Sequence, residues 1–245
     1  MEKNELLRRM EDLCERAERS GTVCSSGYLS PAERYQTEKW AKRRGCTVVF
    51  SGGGADCERT AAFFLPEYMS AEDFDPSEHF AAIKLTAHFG EPGHRDYMGA
   101  VLGVGREWVG DICVMGDTAY IFCLPSVHRH LLSIDKVGRC GVTAENIAPE
   151  DVPQAKREVK EKSFSVMSMR LDAVTAGMFA LSRTEAAKEI RLGNVSLNYE
   201  PTEKPDAQIS AGDIISLRGA GKGSVTGTGG TSRKGRLFVY AEILK

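Results

Sequence analysis

No stretch of this 245-residue chain approaches the ~20 consecutive apolar residues that a bilayer-crossing helix needs. Its first residues, Met1-Glu2-Lys3-Asn4-Glu5, carry charge where a secretion signal carries an apolar core. A cytoplasmic protein without a membrane partner is expected. Paired cysteines are also missing. Cys14, Cys24, Cys46, Cys57, Cys113, Cys123 and Cys140 are odd in number, and none stand in C-x-x-C spacing. That spacing excludes the usual zinc and disulfide frameworks and predicts reduced, mostly buried thiols. The five histidines are scattered, and His128 and His130, two apart on a helix, point in different directions. Gly103-Val104-Gly105 lacks the third glycine of a dinucleotide fingerprint, and Gly52-Gly53-Gly54 lacks the lysine of a phosphate loop. His94-Arg95-Asp96 has the order of a kinase catalytic loop, but Val101 stands where that loop needs Asn. The expectation is a protein without cofactor, metal or catalytic residues.

Charge is close to balanced, with a net of −2, and hydrophobic content is 42%. The distribution is uneven. Residues 165–245 hold eleven Lys and Arg against eight Asp and Glu, whereas the rest holds 21 against 26. A basic C-terminal module on an acidic body predicts a directed contact with an anionic partner, not indiscriminate nucleic-acid binding.

The hydrophobic pattern predicts an α+β protein of three small modules. The first, residues 1–72, is a small α/β region. It opens with an amphipathic helix through Leu6, Leu7, Met10, Leu13, Cys14 and Ala17. A second helix follows the capping box Ser30-Pro31-Ala32-Glu33 and stops at Gly45. Cys46 to Phe50 reads as a strand, and Glu58 to Phe64 as a helix ended by Pro66. Glu72 to Ser77 reads as a linker. Residues 76–162 then alternate as β-α-β-β-α-β with a hairpin turn at Gly116-Asp117, the ferredoxin-like pattern that RNA-recognition (RRM-like) domains share. Tyr120 and Phe122 occupy its third strand without the usual Lys/Arg-Gly-Phe stacking signature. Residues 151–162 read as a connecting arm.

The C-terminal module, residues 165–245, begins with a helix packing through Leu171, Val174 and Met178, with Arg170 near its start. A second capping box, Ser182-Arg183-Thr184-Glu185, opens another helix that stops at Gly193. Thr184, Lys188 and Arg191 fall on one wedge of it, while Ala186, Ala187 and Ile190 face elsewhere. Helix N-termini with adjacent Arg form a natural anion site. Together with Asn198, Lys204-Pro205 and Gly212 to Gly219, this string resembles the small alpha-L RNA-binding domain of ribosomal small-subunit protein four. By that resemblance Arg170, Ser182, Arg183, Lys188, Asn198 and Lys204 are expected to meet RNA. Leu171, Ile190, Val195 and Ile215 are expected to form the core, and Gly193 and Gly212 a stop and a turn. Thr184, Arg191, Arg218, Arg233, Lys234 and Arg236 complete the candidate RNA-binding set. Gly219 to Gly230 reads as a glycine-rich insertion lengthening the loop between the last two strands.

Upstream, His94-Arg95-Asp96-Tyr97-Met98-Gly99-Ala100-Val101-Leu102-Gly103, then Arg106-Glu107 and Gly110-Asp111-Ile112, is similar to the middle domain of the bacterial YlmH family. That resemblance extends over nearly the whole chain. It implies binding to the large ribosomal subunit, through rRNA and also tRNA, with a link to peptidyl-tRNA on stalled, split subunits and ribosome-associated quality control. It also implies a connection with cell division. DNA is not expected as a partner. Two rival readings remain. Arg170-Leu171-Asp172 resembles the catalytic stretch of some pseudouridine synthases, in which the Asp is the nucleophile. The acidic N-terminal region fits a protein adaptor for division or ribosome factors.

Overall fold

The computed structural model describes residues 3–153, 159–232 and 234–244. The chain divides into two compact units, Met1–Ala155 and Lys156–Lys245. Both mix helices with antiparallel sheets, so the chain is α+β.

In the first unit, helix α1 (Lys3–Ser20) buries Leu6, Met10, Leu13, Cys14 and Ala17 on one stripe, as its spacing predicts. Strand β1 (Cys24–Leu29) leads to α2 (Pro31–Arg44), then β2 (Val48–Ser51) and β3 (Thr60–Phe64). The Ser30 hydroxyl accepts from the Glu33 amide, the Glu33 carboxylate accepts from the Ser30 amide, and Gly45 ends α2 at φ 78°. The three strands pair in the order β1-β3-β2.

Residues 60–64 are therefore a strand, not the expected helix. All five are buried because β3 is the central strand, covered on both faces. A short run apolar on both faces has no period that separates strand from helix. Ala62 and Phe64 pack toward α1, while Ala61, Phe63 and Leu65 pack the other way. Strand β1 gave no expectation at all, since Cys-Ser-Ser-Gly is a poor strand former. It is held by β3 and by the Ser26 hydroxyl, which accepts from the Ala62 amide at 2.9 Å.

The larger sheet of this unit comprises β4 (Ala81–Ala87), β5 (Val109–Met115), β6 (Thr118–Cys123), β7 (Lys136–Val137) and β8 (Cys140–Ile147). Helix α3 (His94–Val101) joins β4 to β5, and α4 (Pro125–Leu131) joins β6 to β7. The order β5-β6-β4-β8-β7, with antiparallel neighbours, is that of a split β-α-β arrangement. One face packs Ile83, Leu85, Ile121 and Cys123 against Tyr97, Val101 and Leu131 of the helices.

The other face is covered by the N-terminal sheet at its Ala82 and Phe122 end, while Lys84 and Tyr120 stay partly exposed. Ala82, Phe122, Leu124 and Phe80 share a core with Tyr28, Ala61, Phe63 and Leu65. Glu72–Ser77 is not a free linker, because the Phe74 ring lies 5.2 Å from that of Phe63. The described part of the connecting arm also differs from expectation. Val159 to Lys162 open a strand, and residues 154–158 lie outside the described set.

The second unit comprises, among its described residues, a six-stranded antiparallel sheet and two helices. Its elements are β9 (Val159–Val166), α5 (Leu171–Phe179), α6 (Arg183–Arg191), β10 (Val195–Leu197), β11 (Glu200–Pro201), β12 (Ile214–Leu217), β13 (Gly221–Thr231) and β14 (Leu237–Leu244). The order is β11-β10-β12-β13-β14-β9, so the last strand returns beside the first. Leu171, Val174, Met178, Ile190, Val195 and Ile215 are fully buried, matching the expected core. Gly193 (φ 71°) and Gly212 (φ 91°) take the left-handed backbone expected of a stop and a turn.

The glycine-rich segment is not a loop. Gly221–Thr231 is the longest strand of the sheet, paired on both sides and bulged twice against β14. Two of its glycines are there for close packing. A Cβ at Gly223 would meet the Met178 Sδ at 2.7 Å, and one at Gly229 would meet the Tyr240 hydroxyl at 2.8 Å.

Candidate RNA-binding surface

The expected functional residues gather first around the start of α5. Arg170 is its N-cap residue. The Leu171 amide donates to the Ala207 carbonyl and the Asp172 amide to the Pro205 carbonyl. Those two bonds tie residues 204–209 alongside the helix start and bring Lys204 there, exposed. They also occupy the first amides of α5. In α6 the Ser182 hydroxyl accepts from the Glu185 amide and the Glu185 carboxylate accepts from the Ser182 amide. The expected anion site on bare helix amides is thus largely consumed by the protein itself. The Ser182 side chain is a cap, and the groups left facing outward at this rim are the Arg and Lys side chains.

Asp172 organises those side chains. It is 5% exposed, and both carboxylate oxygens are engaged. Arg170 donates through Nε at 3.2 Å and Nη2 at 3.0 Å, while Arg183 donates through Nη2 to Oδ1 at 3.3 Å and approaches Oδ2 at 3.2 Å. One buried carboxylate therefore clamps guanidiniums from the starts of two helices, which remain 35% and 54% exposed. Burial alone would raise the Asp172 pKa, but the hydrogen bonds and charges of Arg170 and Arg183 together hold it below the ordinary carboxylate range. Two cations thus share one buried anion, with Asp206 also acting on Arg170, and both guanidiniums are held in place at the surface.

Thr184, Lys188 and Arg191 lie along the exposed face of α6, as the wedge predicts. Ala186 and Ile190 are buried behind them, and Ala187 is half-buried. Arg218, exposed just past β12, is tied to the segment that follows α6, its amide donating to the Asn194 carbonyl at 2.9 Å. Lys234 and Arg236 lie elsewhere, on the hairpin between β13 and β14, where Arg236 Nη2 donates to the Ser165 carbonyl. Arg233 lies outside the described residues.

Asn198 has a structural role that the sequence reading missed. With Tyr199 it forms the two-residue turn between β10 and β11, both at positive φ (50° and 67°). Its side chain donates to Asp213 Oδ1 at 2.8 Å and accepts from the Ile214 amide at 2.9 Å. Lys222 Nζ lies 5.8 Å from the Tyr199 ring centroid, a cation–π distance.

In the first unit the stretch His94 to Ile112 mostly holds the fold. Asp96 accepts from the Gly93 amide at the start of α3. Tyr97 is fully buried, with its hydroxyl donating to the Asp117 carbonyl. Arg106 donates to the carbonyls of Val109 and Gly110. Gly110 lies under the Tyr28 ring, whose Cε1 a Cβ would meet at 2.7 Å. Phe122, one of the two aromatics on the third strand of the middle sheet, is only 6% exposed, with Gly53 and Gly54 against its ring. The N-terminal sheet thus covers the Phe122 end of that face, while Tyr120, beside Lys84, stays partly exposed. Of the thiols only Cys14 and Cys123 are buried, fewer than expected, and burial pushes Cys123 up to about 12. No helix among the described residues is long and apolar enough to cross a membrane.

Comparison with known proteins places relatives on both scales. Residues 70–151 match the family described as "Putative RNA-binding domain in YlmH". The chain is 29% identical over 222 residues to "Ribosome-associated protein quality control protein P2" of Bacillus subtilis (strain 168), covering 89% of this chain and 86% of that one. Among solved structures it resembles "Cell division protein ylmH from Streptococcus pneumoniae" with a TM-score of 0.53 and 18% identity, over 63% of this chain and 96% of that one; this likeness is one of fold. The matched residues include the His94 to Ile112 stretch that carries the resemblance to the YlmH family, and the match and the Bacillus relative support that resemblance.

Proposed function

We propose that this chain is a non-enzymatic RNA-binding protein that associates with the large ribosomal subunit. Contact with rRNA runs through the α5–α6 rim of the second unit. The observation that carries the reading is the Asp172 clamp, which presents Arg170 and Arg183 together beside Lys204. Fixed guanidiniums on a helix rim suit phosphate recognition on folded RNA, where backbone and shape are read. The family description of residues 70–151 and the name of the Bacillus relative support a ribosome-associated RNA-binding role. The finer assignment is a cytoplasmic factor in ribosome-associated quality control that meets rRNA and peptidyl-tRNA on stalled large subunits. Its middle domain is RRM-like in topology and its C-terminal unit of alpha-L type. It rests on the resemblance.

The test is co-sedimentation with separated ribosomal subunits across a salt series, with and without peptidyl-tRNA on the large subunit. Three to five phosphate contacts predict a loss of roughly 40- to 500-fold in affinity between 50 and 200 mM salt. The double variant Arg183→Glu, Lys188→Glu is expected to lose association while staying folded. Normal association of that folded variant refutes the site.

The rival reading, RNA modification with Asp172 as nucleophile, is disfavoured by the same geometry. Both oxygens of Asp172 are held by guanidiniums and the residue is buried. Asp172→Asn would erase a specific modified base if that reading were right, and here it is expected to leave the modification pattern unchanged.

A further inference from the structure

Phe122 of the middle sheet is buried, yet the second unit carries two aromatic rings in the open. Along β14, Val239 and Ala241 point into the core, while Phe238 and Tyr240 alternate outward and remain 41% and 48% exposed. Their neighbours across the sheet are small. Phe238 pairs with Ser165 and Tyr240 with Ser163 on one side, and Tyr240 pairs with Gly227 on the other.

The Tyr240 ring is accommodated by the backbone beneath it. A Cβ on Gly229 would meet the Tyr240 hydroxyl at 2.8 Å, its Cε2 at 3.1 Å and the Phe238 Cβ at 3.3 Å. Two rings two residues apart thus stand over glycine and serine, with no aliphatic side chain beside them on the paired positions. The face is also polarised. Arg236, pinned by its bond to the Ser165 carbonyl, and exposed Lys234 lie at the Phe238 end. Glu242 and Glu161, directly opposite each other, lie beyond Tyr240.

We propose that Phe238 and Tyr240, with Arg236 and Lys234 at one end, form a stacking platform for an unpaired RNA segment. Exposed π-faces whose directly paired neighbours are serine and glycine suit bases, whose flat faces stack whatever their identity. The exposed aliphatic side chains on this side, Met167 and Val159, lie beyond the two paired serines at either end of β9 and not at the paired positions, where a protein interface core is expected to put them. The cationic end draws the sugar–phosphate backbone, and the paired glutamates repel it. The strand is therefore directed off the sheet at the Arg236 end, with about two bases stacked. This rests on the RNA-binding reading but uses a surface separate from the Asp172 clamp.

The test measures binding of the full chain to a labelled single-stranded (A)12 RNA and to a folded ribosomal RNA hairpin. The variant Phe238→Thr, Tyr240→Thr keeps β-forming residues on the strand, and Tyr240→Phe keeps the ring. Each ring removed is expected to weaken (A)12 binding roughly 5- to 150-fold. Tyr240→Phe is expected to retain it, and hairpin binding is expected to persist in both variants. If the wild type binds the hairpin but binds (A)12 no better than the double-Thr variant, the platform is refuted and the RNA reading stands. If the wild type binds neither RNA, both fall. A double-Thr variant whose sedimentation mass is lower than that of the wild type overturns the proposal in favour of a contact between two copies of the chain.

Discussion

Replacing Asp172 with Asn keeps volume and removes one charge, so it isolates the clamp. The wild-type carboxylate accepts from Arg170 Nε and Nη2 and from Arg183 Nη2. Asn offers one acceptor, and its amide turns donors toward guanidinium donors. Hydrogen bonds to charged groups reach ~1.5–3 kcal/mol when buried, but both guanidiniums are more than a third exposed and screened. The loss at Asp172 is therefore about 1–2 kcal/mol, a factor of roughly 5–30 in the local opening equilibrium. Native-state hydrogen exchange of the α5 amides reads it directly. The difference carries a pH signature. A carboxylate with a depressed folded-state pKa stabilises fully above its unfolded value, near 3.9, and loses that contribution as pH falls through the lower folded value. Wild type and Asp172→Asn should differ fully above about pH 5 and converge in acid. Equal exchange of the two proteins at pH 7, or a gap that widens in acid, would refute the clamp.

Three further substitutions probe the packing. Gly177→Ala places a methyl against the Phe164 ring, and overpacking of ~1–3 kcal/mol should outweigh the ~1 kcal/mol that alanine gains in a helix, lowering the denaturation midpoint. Ala180 sits at φ 58° between α5 and α6, so Ala180→Gly should stabilise the second unit by about 0.5–1 kcal/mol, seen as slower exchange of α6 amides. Asn198→Ala strips the Ile214 amide of its acceptor and should destabilise the β10–β12 region by about 1–3 kcal/mol. The salt dependence of RNA binding should keep its slope in that variant, since Asn198 faces Asp213 and not a phosphate.

What could be read in the chain was what is local. Ser30 and Ser182 announce their helices because a cap needs only four residues, and the buried stripe of α1 recurs every turn. The alternation through residues 81–147 shows the second sheet because each connection is short. What could not be read depends on residues far apart. Thr60–Phe64 is a strand because two layers cover it. Gly221–Thr231 is a strand because β12 and β14 flank it, although five of its eleven residues are glycine. The candidate site divides the same way. The exposed wedge of α6 follows from helical spacing, but the Asp172 clamp joins residues from two helices and reads, in one dimension, as a catalytic triplet. Asn198 read as a ligand because its strand partner, sixteen positions on, is invisible until the turn closes.

The covered face of the middle sheet bears on how the protein is made. Synthesis delivers α1 and the three-stranded sheet first, yet Ala61, Phe63 and Leu65 share their core with the later residues Phe80, Phe122, Leu124 and Val152. More than half the chain must emerge before that layer is sealed. A nascent chain paused between residues 65 and 122 would hold an unfinished sheet with its apolar side open, a substrate for chaperones or for aggregation. The early residues of this protein are thus committed to its late ones, and its first 155 residues should fold in a single step once the last contributor has cleared the tunnel.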